Sequence, residues 1–390
     1  MRPALIVLAL LAALIGFAVL GLVIGAFLDP AGSMFAVIGS VVWTTYGPFL
    51  LLAAIASCLV GIVAMANRMR RLGGLALAVS AAGAIGACYI LVRIGLAANA
   101  AGGSIDLPAT LMLEEMSEPA PDMVETVRTV AETDLRAAVY LPAPKPVPAP
   151  VIVYVHGGGF KTGTFTETAA DLRWFADRGW LVVSVEYRLF APGEPTWDKA
   201  PDDVACALVW TYQNAERFGG DRKRIALLGD SAGGNLAINT GFAVAAGEAA
   251  SSCGNDIPVP AAIAVQYPAV DPVSIYEDGY PVPGFEPKML IEGYVGGPPG
   301  QYPERLAAVS SRSYINEKAP PTLIILPEKD SLVVPQGTLS FVREARSAGL
   351  DVELVRIPFA NHVFNQIAAN SPGNQIGRTV RLRFLQQNVR

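Results

Sequence analysis

A serine at position 231 lies in a stretch whose spacing suits a strained nucleophile. The stretch GDSAG, residues 229 to 233, follows the apolar run RIALLG and precedes a segment of helical composition. Glycines two residues either side of a serine let a strand turn sharply into a helix and leave the hydroxyl exposed. The first N–H groups of that helix also favour negative charge. We therefore take Ser231 as the candidate nucleophile, against the simpler interpretation that it only caps the helix.

The base that would activate this serine can be sought by elimination, because the chain has two histidines. A serine hydroxyl needs a neutral imidazole to accept its proton. His156 ends an apolar strand and precedes three glycines, where it is better placed to shape a loop than to reach a serine. His362 follows the last strand-like run, VELVRI, where a loop would bring it over the carboxyl edge of a sheet. We predict His362 as the general base.

The acid that orients the imidazole is expected at another strand end, between the serine and the histidine in the chain. The stretch TLIILPEKDSLV supplies Glu328 and Asp330 after an apolar strand. Asp330 is the preferred acid, because the strand ends near Leu326 and the carboxylate must reach across the edge of the sheet. Glu328 remains an alternative, since either carboxylate could fix the imidazole tautomer.

Three successive glycines in HGGGF, residues 156 to 160, suggest a backbone that something must approach closely. Attack on an ester carbonyl creates an oxyanion, and backbone N–H groups stabilise it best where no Cβ atom blocks the approach. Two of the glycines can supply donors, and the residue after the nucleophile a third. The candidate donors are the N–H groups of Gly157, Gly158, Gly159 and Ala232.

Other kinds of site are disfavoured by the sequence, and we expect no cofactor and no metal. Phe160 separates Gly159 from Lys161, so the glycines do not form a phosphate-binding loop. Two histidines and four scattered cysteines give no metal-ligand cluster. Cys206 and Cys253 could pair in an oxidising compartment, but buried free thiols are the favoured interpretation. A net charge of -5 without a large basic cluster argues against a nucleic-acid partner.

The elements that would carry these residues lie in residues 123–390, which we predict to be one α/β domain. VETVRTV and LRAAVYL indicate a hairpin, and the proline-rich loop PAPKPVPAP follows. Short apolar runs then alternate with helical segments. Strands that are apolar on both faces and alternate with helices indicate a mainly parallel sheet with helices on both faces. The apolar runs are VIVYV, LVVSVEY, RIALLG, AAIAVQY, TLIIL and VELVRI.

The segment before this domain, residues 1–98, has the composition of a membrane region. Three apolar stretches, 4–28, 47–66 and 72–98, are each long enough to cross a hydrocarbon core of ~30 Å. The loop NRMRR carries three arginines between the second and third stretches and marks the cytoplasmic side. The domain is therefore predicted to be extracytoplasmic, joined to the third span by a tether over residues 99–122. A cleaved signal peptide in place of the first span would leave the domain on the same side.

Together these motifs resemble those of the hormone-sensitive-lipase-type esterases of the α/β-hydrolase fold. The likeness covers roughly residues 123–390 and not the apolar spans. HGGG followed by GDSAGG is a specific combination, and the order serine, acid, histidine is that of α/β-hydrolases. The matching stretches are HGGGF, VEYRL, the acidic pair Asp202 and Asp203, GDSAGGNLA, KDSL and NHVF.

This resemblance implies hydrolysis of carboxylic esters through an acyl-enzyme, without a cofactor. It also implies oxyanion donors from the second and third glycines and from Ala232. In such enzymes a helical cap shapes the acyl pocket, and here part of it would come from residues 271–312. The family's usual YRLAPE is replaced by YRLFAPGEP, and the N-terminus, which commonly helps form the cap, is apolar instead. A cap lying against the bilayer would favour a lipid or amphiphilic ester.

Three alternative functions remain to be weighed against ester hydrolysis. Acyl transfer to a sugar or lipid alcohol would use the same triad, so the sequence does not separate it from hydrolysis. A catalytically silent binding module would be expected to lack a triad or oxyanion residue, and none is missing. Transport through the spans is disfavoured, because Arg93 is their only charged residue.

Overall fold

The computed structural model describes residues 2–112, 114–144, 148–254, 256–282 and 284–390. Residues 145–147 of the predicted proline-rich loop lie outside this described part. Contacts divide the chain into two compact units, each of which combines segments that are distant in the sequence. The first unit contains Met1–Glu115, Pro327–Ser331 and Arg356–Ile376. The second contains Met116–Leu326, Leu332–Val355 and Gly377–Arg390.

The first unit is built on long apolar helices. Its helices before residue 115 are α1 (Arg2–Phe27), α2 (Met34–Val41), α3 (Trp43–Ala66), α4 (Arg70–Ala100) and α5 (Leu107–Thr110). Three of them are long and apolar enough to cross a membrane, over Pro3–Phe27, Trp43–Ala66 and Arg70–Ala100. The second begins four residues before the predicted Gly47, so Pro48 lies inside the helix.

Small residues let these helices approach one another. A Cβ added at Gly61 in α3 would lie 2.7 Å from the backbone nitrogen of Leu77 in α4, and one at Gly73 would lie 2.7 Å from the Gly61 carbonyl. Lipid tails are as apolar as leucine, so helices in a membrane associate largely through close packing of this kind. The composition of α3 and α4 therefore suits a membrane bundle.

An eight-stranded sheet forms the framework of the hydrolase-like segment. Its strands are β1 (Met123–Val130), β2 (Thr133–Tyr140), β3 (Ala149–Val155), β4 (Leu181–Val185), β5 (Gly220–Asp230), β6 (Ala262–Gln266), β7 (Thr322–Pro327) and β8 (Val352–Ile357). Their order across the sheet is β1-β2-β4-β3-β5-β6-β7-β8. β1 and β2 form the predicted hairpin, and β2 pairs antiparallel with β4. From β4 through β3, β5 and β6 to β7, neighbouring strands are parallel.

Burial of consecutive residues shows that both faces of the central strands are covered. Every residue of β4 and β6 is buried, and so are Val151 to Val155 in β3. The remaining helices are α6 (Ala169–Ala176), α7 (Lys199–Asn214), α8 (Ala232–Ala246), α9 (Pro272–Asp278), α10 (Pro287–Val295), α11 (Pro303–Val309), α12 (Pro335–Ser347) and α13 (Pro372–Asn388). The predicted α/β-hydrolase fold class is confirmed.

Cys206 in α7 forms a disulfide with Cys253. The preference for free buried thiols at these positions was therefore wrong. Asp202 helps to bring the two cysteines together. Its carboxylate accepts hydrogen bonds from the backbone N–H and the hydroxyl of Ser252 at 2.8 and 2.7 Å. These bonds hold the residue before Cys253 beside the first turn of α7.

Candidate active site

Ser231 stands at the junction of β5 and α8 in a strained conformation. Its φ of 55° and ψ of -117° lie outside the regions that side-chain-bearing residues normally occupy. Strand β6 and the residues that follow it hold the Ser231 backbone in this conformation. The Ser231 N–H donates to the carbonyl of Gln266 at 3.0 Å, and the Ser231 carbonyl accepts from the N–H of Ala269 at 3.1 Å. The turn thus has the form that presents a nucleophile.

The flanking glycines are required by close backbone contacts. A Cβ atom at Gly229 would lie 2.3 Å from the carbonyl oxygen of Gly233, and one at Gly233 would lie 2.1 Å from that of Val155. Neither site can accept a side chain without moving the backbone. The spacing of the motif is therefore a steric consequence of turning β5 into α8 within so few residues.

The three-glycine loop after β3 passes directly beside the serine. A Cβ atom at Gly157 would lie 3.1 Å from the Asp230 carbonyl oxygen and 3.6 Å from the Ser231 Cβ. Gly158 and Gly159 have φ values of +100° and +62°, where side chains are strained. The structure therefore brings together the nucleophile candidate and the glycines predicted as oxyanion donors.

His156 is buried beneath this loop, as its predicted role in shaping the loop requires. Its Nδ1 donates to the Gly157 carbonyl oxygen at 2.8 Å, since the carbonyl can only accept. Its ring stacks on Tyr187 with a centroid separation of 4.4 Å, and the Tyr187 hydroxyl donates to the carbonyls of His156 and Gly157. Burial lowers the pKa of His156 to about 4. The ring is therefore neutral near pH 7 and serves as a fixed support.

A buried ion pair lies next to the nucleophile in the chain. The Asp230 carboxylate lies 3.1 Å from Nη1 of Arg381 in α13 and accepts hydrogen bonds from Tyr154 and Gln266. Burial raises the pKa of the Asp230 carboxyl, and the Arg381 charge opposes that rise. Sequence reasoning missed Arg381, because no motif surrounds it and 151 residues separate it from Asp230.

Asp330 and His362 meet in the first unit. Oδ2 of Asp330 lies 2.7 Å from Nδ1 of His362, and the Asp330 side chain is buried. Because a carboxylate accepts, Nδ1 carries the proton, and the acceptor nitrogen of the neutral ring is Nε2. Glu328, the alternative acid, instead pairs with Nε of Arg356 at 2.8 Å. The arrangement therefore suits Asp330 as the group that orients the imidazole.

Asn361 connects the segments that carry this pair. Its Oδ1 accepts hydrogen bonds from the backbone N–H of Ser331 at 3.0 Å, the Ser331 hydroxyl at 3.1 Å and the backbone N–H of His362 at 2.6 Å. Ser331, which follows Asp330, and His362 thus share one acceptor. Sequence reasoning used Asn361 only as part of the stretch NHVF and assigned it no role.

Helices from the segment predicted to contribute a cap pack against the glycine loop. The insert 271–312 contains α9, α10 and α11. Phe160 stacks on Tyr294 of α10 with a centroid separation of 3.7 Å, and a Cβ at Gly159 would lie 2.8 Å from the Leu290 side chain. These contacts place helical, largely apolar surface beside the loop.

The family model BD-FAE matches residues 138–344, more than half of the chain. The chain belongs to the BD-FAE family of α/β-hydrolase esterases. Within this chain, the BD-FAE match includes the glycine loop, Ser231 and Asp330 and ends before His362.

The chain is also similar to individual ester-hydrolysing enzymes. Esterase LipC of Mycobacterium tuberculosis is 30% identical over 223 residues, which cover 56% of this chain and 54% of LipC. The chain thus spans about half the length of that relative. Ethyl acetate hydrolase of Pseudomonas putida is 27% identical over 248 residues, covering 61% of this chain and 73% of the hydrolase.

Solved structures confirm the fold of this BD-FAE chain. Thermogutta terrifontis esterase 2, in a form phosphoramylated by tabun, superposes with a TM-score of 0.55 at 22% identity. The match covers 70% of this chain and 96% of that esterase. At this identity the likeness establishes the fold alone.

Proposed function

We propose that the chain is a membrane-anchored serine carboxylesterase in which Ser231, Asp330 and His362 act as a catalytic triad. The observation that carries the proposal is the strained Ser231 turn beside the three-glycine loop. The 2.7 Å contact between Asp330 and His362 supports the acid and base assignments. Membership of an esterase family and the likeness to hormone-sensitive-lipase-type sequences support the reaction class.

In the proposed mechanism, Nε2 of His362 accepts the Ser231 hydroxyl proton as Oγ attacks the ester carbonyl carbon. Asp330 keeps the Nδ1 proton in place and stabilises the imidazolium that forms. The oxyanion accepts hydrogen bonds from backbone N–H groups of the glycine loop and of Ala232, each contributing about 3 kcal/mol to transition-state stabilisation. His362 then protonates the departing alcohol, which leaves an acyl-enzyme.

The second half of the proposed reaction regenerates the enzyme. His362 accepts a proton from a water molecule as the water oxygen attacks the acyl carbonyl carbon. The tetrahedral intermediate collapses, the bond to Ser231 Oγ breaks, and His362 returns the proton to the serine. The products are a carboxylic acid and the alcohol released earlier, and no cofactor enters either step.

We further propose that the domain faces away from the cytoplasm. Three helices are long and apolar enough to span a membrane. The arginines of the loop between α3 and α4 favour the cytoplasmic side for that loop. The Cys206–Cys253 disulfide supports this orientation, because disulfides persist in oxidising compartments and are rare in the cytosol. A thiol reagent that labels the pair in intact cells only after reduction would agree with this topology.

A cavity in the first unit favours an amphiphilic ester as substrate. The cavity encloses about 710 Å³ between α3, α4 and the segment that follows α4. Its lining is mostly apolar, with the polar side chains of Asn99 and Ser104 at the end of α4 and just beyond it. A space of this size suits an acyl chain. Pro372, which also lines the cavity, lies in the same chain segment as His362, residues 356–376.

The proposed function is tested by ester hydrolysis with full-length protein in detergent or liposomes. Esters from acetyl to palmitoyl are compared for the wild type, Ser231→Ala and Ser340→Ala, a control serine on the surface of α12. We expect Ser231→Ala to lower kcat at least roughly 10³-fold, and Ser340→Ala to retain wild-type turnover. Longer esters presented in micelles should be preferred.

Two outcomes would contradict the proposal. Turnover that survives in Ser231→Ala would place the nucleophile elsewhere. Absence of Ser231-dependent hydrolysis with every ester, together with acylated lipid or glycan products, would show a transferase instead.

A further inference from the structure

We infer that Ser40 of the short helix α2 positions the catalytic acid–base pair by binding Asn361. The Asn361 amide Nδ2 donates to the Ser40 Oγ at 2.7 Å, across 321 residues of chain. Both side chains are buried. The inference rests on the proposed triad and assigns part of its geometry to the membrane region.

The contact belongs to a continuous set of hydrogen bonds. Ser40 donates its own hydroxyl proton to the Val37 carbonyl at 2.8 Å, so its oxygen is oriented as an acceptor. Asn361 uses Nδ2 for Ser40 and Oδ1 for Ser331 and His362. The orientation of this one amide therefore links α2 to the backbone on which the base is carried.

A second contact joins α1 to the residue before the acid. Nζ of Lys329 donates to the Leu28 carbonyl at 2.9 Å, just beyond the C-terminal end of α1. Helix C-termini carry carbonyls without intrahelical partners and favour a positive charge. Lys329 therefore fixes the chain next to Asp330 while satisfying the end of a candidate membrane span.

A third contact is made by the aromatic ring of Phe359, three residues before His362 in the chain. The Phe359 ring meets Phe27 of α1 edge-on at 5.1 Å and Tyr89 of α4 at 6.2 Å. Residues next to or near both members of the pair are thus held by α1, α2 and α4. All of these residues belong to the first compact unit, which also contains Asp330 and His362.

This arrangement makes Ser40 a positioning residue, since it acts on the base only through Asn361. Removing its oxygen takes away the acceptor of the Asn361 Nδ2 and allows the buried amide to turn. The shared acceptor of Ser331 and His362 would then move, and with it the imidazole. Misplacement of a catalytic group by about 1 Å can lower the rate by about 10²-fold. We expect a smaller displacement and a loss of about tenfold in kcat for Ser40→Ala.

The test uses full-length protein in lipid nanodiscs and compares Ser40→Ala with Ser80→Ala. Ser80 is a matched control, because it is buried among the same helices and its hydroxyl donates to the Ala12 carbonyl at 3.3 Å. For Ser40→Ala we expect a tenfold lower kcat, a KM within twofold of wild type and a displaced acid limb in the pH profile. Ser40→Thr keeps the hydroxyl and should restore kcat.

Lys329→Met provides a second route in case Ser40→Ala fails to fold, and it should also lower kcat at unchanged KM. Wild-type kcat and pH profile in both Ser40→Ala and Lys329→Met would overturn the inference. Losses of kcat in both Ser40→Ala and Ser80→Ala that follow the fraction of unfolded protein would also overturn the inference.

Ser231→Ala is measured in the same experiment. If Ser231→Ala stays active the triad itself is wrong, whereas an inactive Ser231→Ala with normal Ser40→Ala overturns only the role of Ser40.

Discussion

The Arg381 guanidinium lies 3.1 Å from the carboxylate of Asp230, and both side chains are almost completely buried. Asp230 is one of the two unspecified residues in the G-x-S-x-G pattern, yet its partner in α13 gives it a structural role. A buried charge that loses its partner costs far more than an exposed one, because no water replaces the lost interaction. The pair thus secures the end of β5 on which Ser231 stands.

Arg381→Met should therefore destabilise the protein strongly. We expect a loss of about 3–5 kcal/mol in the free energy of unfolding, measured by denaturant titration. Arg222→Met is the control, because Arg222 forms an exposed pair with Glu216 and should cost no more than about 1 kcal/mol. Adding Asp230→Asn to Arg381→Met should recover part of the loss. Equal effects of the two arginine substitutions would contradict this account.

Replacing the proposed acid should impair catalysis without removing the base. For Asp330→Asn we expect kcat to fall about 10³- to 10⁴-fold, since the imidazole would lose the partner that fixes its tautomer. Glu328→Gln tests the alternative acid, and its partly exposed pair with Arg356 predicts little change in kcat. Steady-state kinetics on one ester compares the two. A larger loss in Glu328→Gln would reverse the assignment.

The glycine loop should tolerate no side chain at Gly158. A Cβ there would lie 2.1 Å from the Thr162 carbonyl oxygen, at a φ of +100°. Gly158→Ala should therefore displace the proposed oxyanion donors and lower kcat by about 10²-fold. Gly193→Ala is a matched control, because Gly193 also has a positive φ but open space around its Cβ position. Similar kcat values in the two variants would show that the loop is not catalytic.

His156 should make the fold sensitive to acid. Its pKa is about 4 in the folded protein against an ordinary value of 6.5, so the unfolded chain binds the proton more readily. The neutral ring makes its full contribution to the free energy of unfolding above pH 6.5, and this contribution is lost as the pH falls towards 4. The loss amounts to about 3 kcal/mol.

The measurement for His156 is the free energy of unfolding of wild type and His156→Gln between pH 7 and pH 4. Subtracting the two curves removes the contribution of carboxylates that titrate in the same range. We expect the difference between wild type and variant to shrink as the pH falls. A difference that is constant with pH would contradict the shifted pKa.

Sequence motifs located the candidate site because its parts are local. Ser231 and the glycine loop are each recognisable from a few neighbouring residues whose steric requirements are severe. His362 was predicted as the base because the only other histidine in the sequence, His156, ends the strand before the glycine loop. The central strands were predictable because burial on both faces leaves continuous apolar runs.

Interactions between distant segments were not predictable from the same motifs. The Cys206–Cys253 disulfide joins residues 47 positions apart, and Asp202, which aligns them, reads in the sequence only as an acidic helix start. The contacts of Arg381 with Asp230 and of Asn361 with Ser40 likewise join residues far apart in the chain. Such pairs depend on the finished fold, since no local spacing specifies them.

The separation of Ser40 from Asn361 also bears on biosynthesis. A ribosome adds roughly 5–20 residues per second, so α2 emerges roughly half a minute before the segment that completes its compact unit. By the end of that interval the nascent chain carries its long apolar helices and the Ser231 turn but still lacks His362. With the proposed triad and orientation, the chain would gain its base only after nearly all of it had been made, and ester hydrolysis would begin only when translocation was nearly complete.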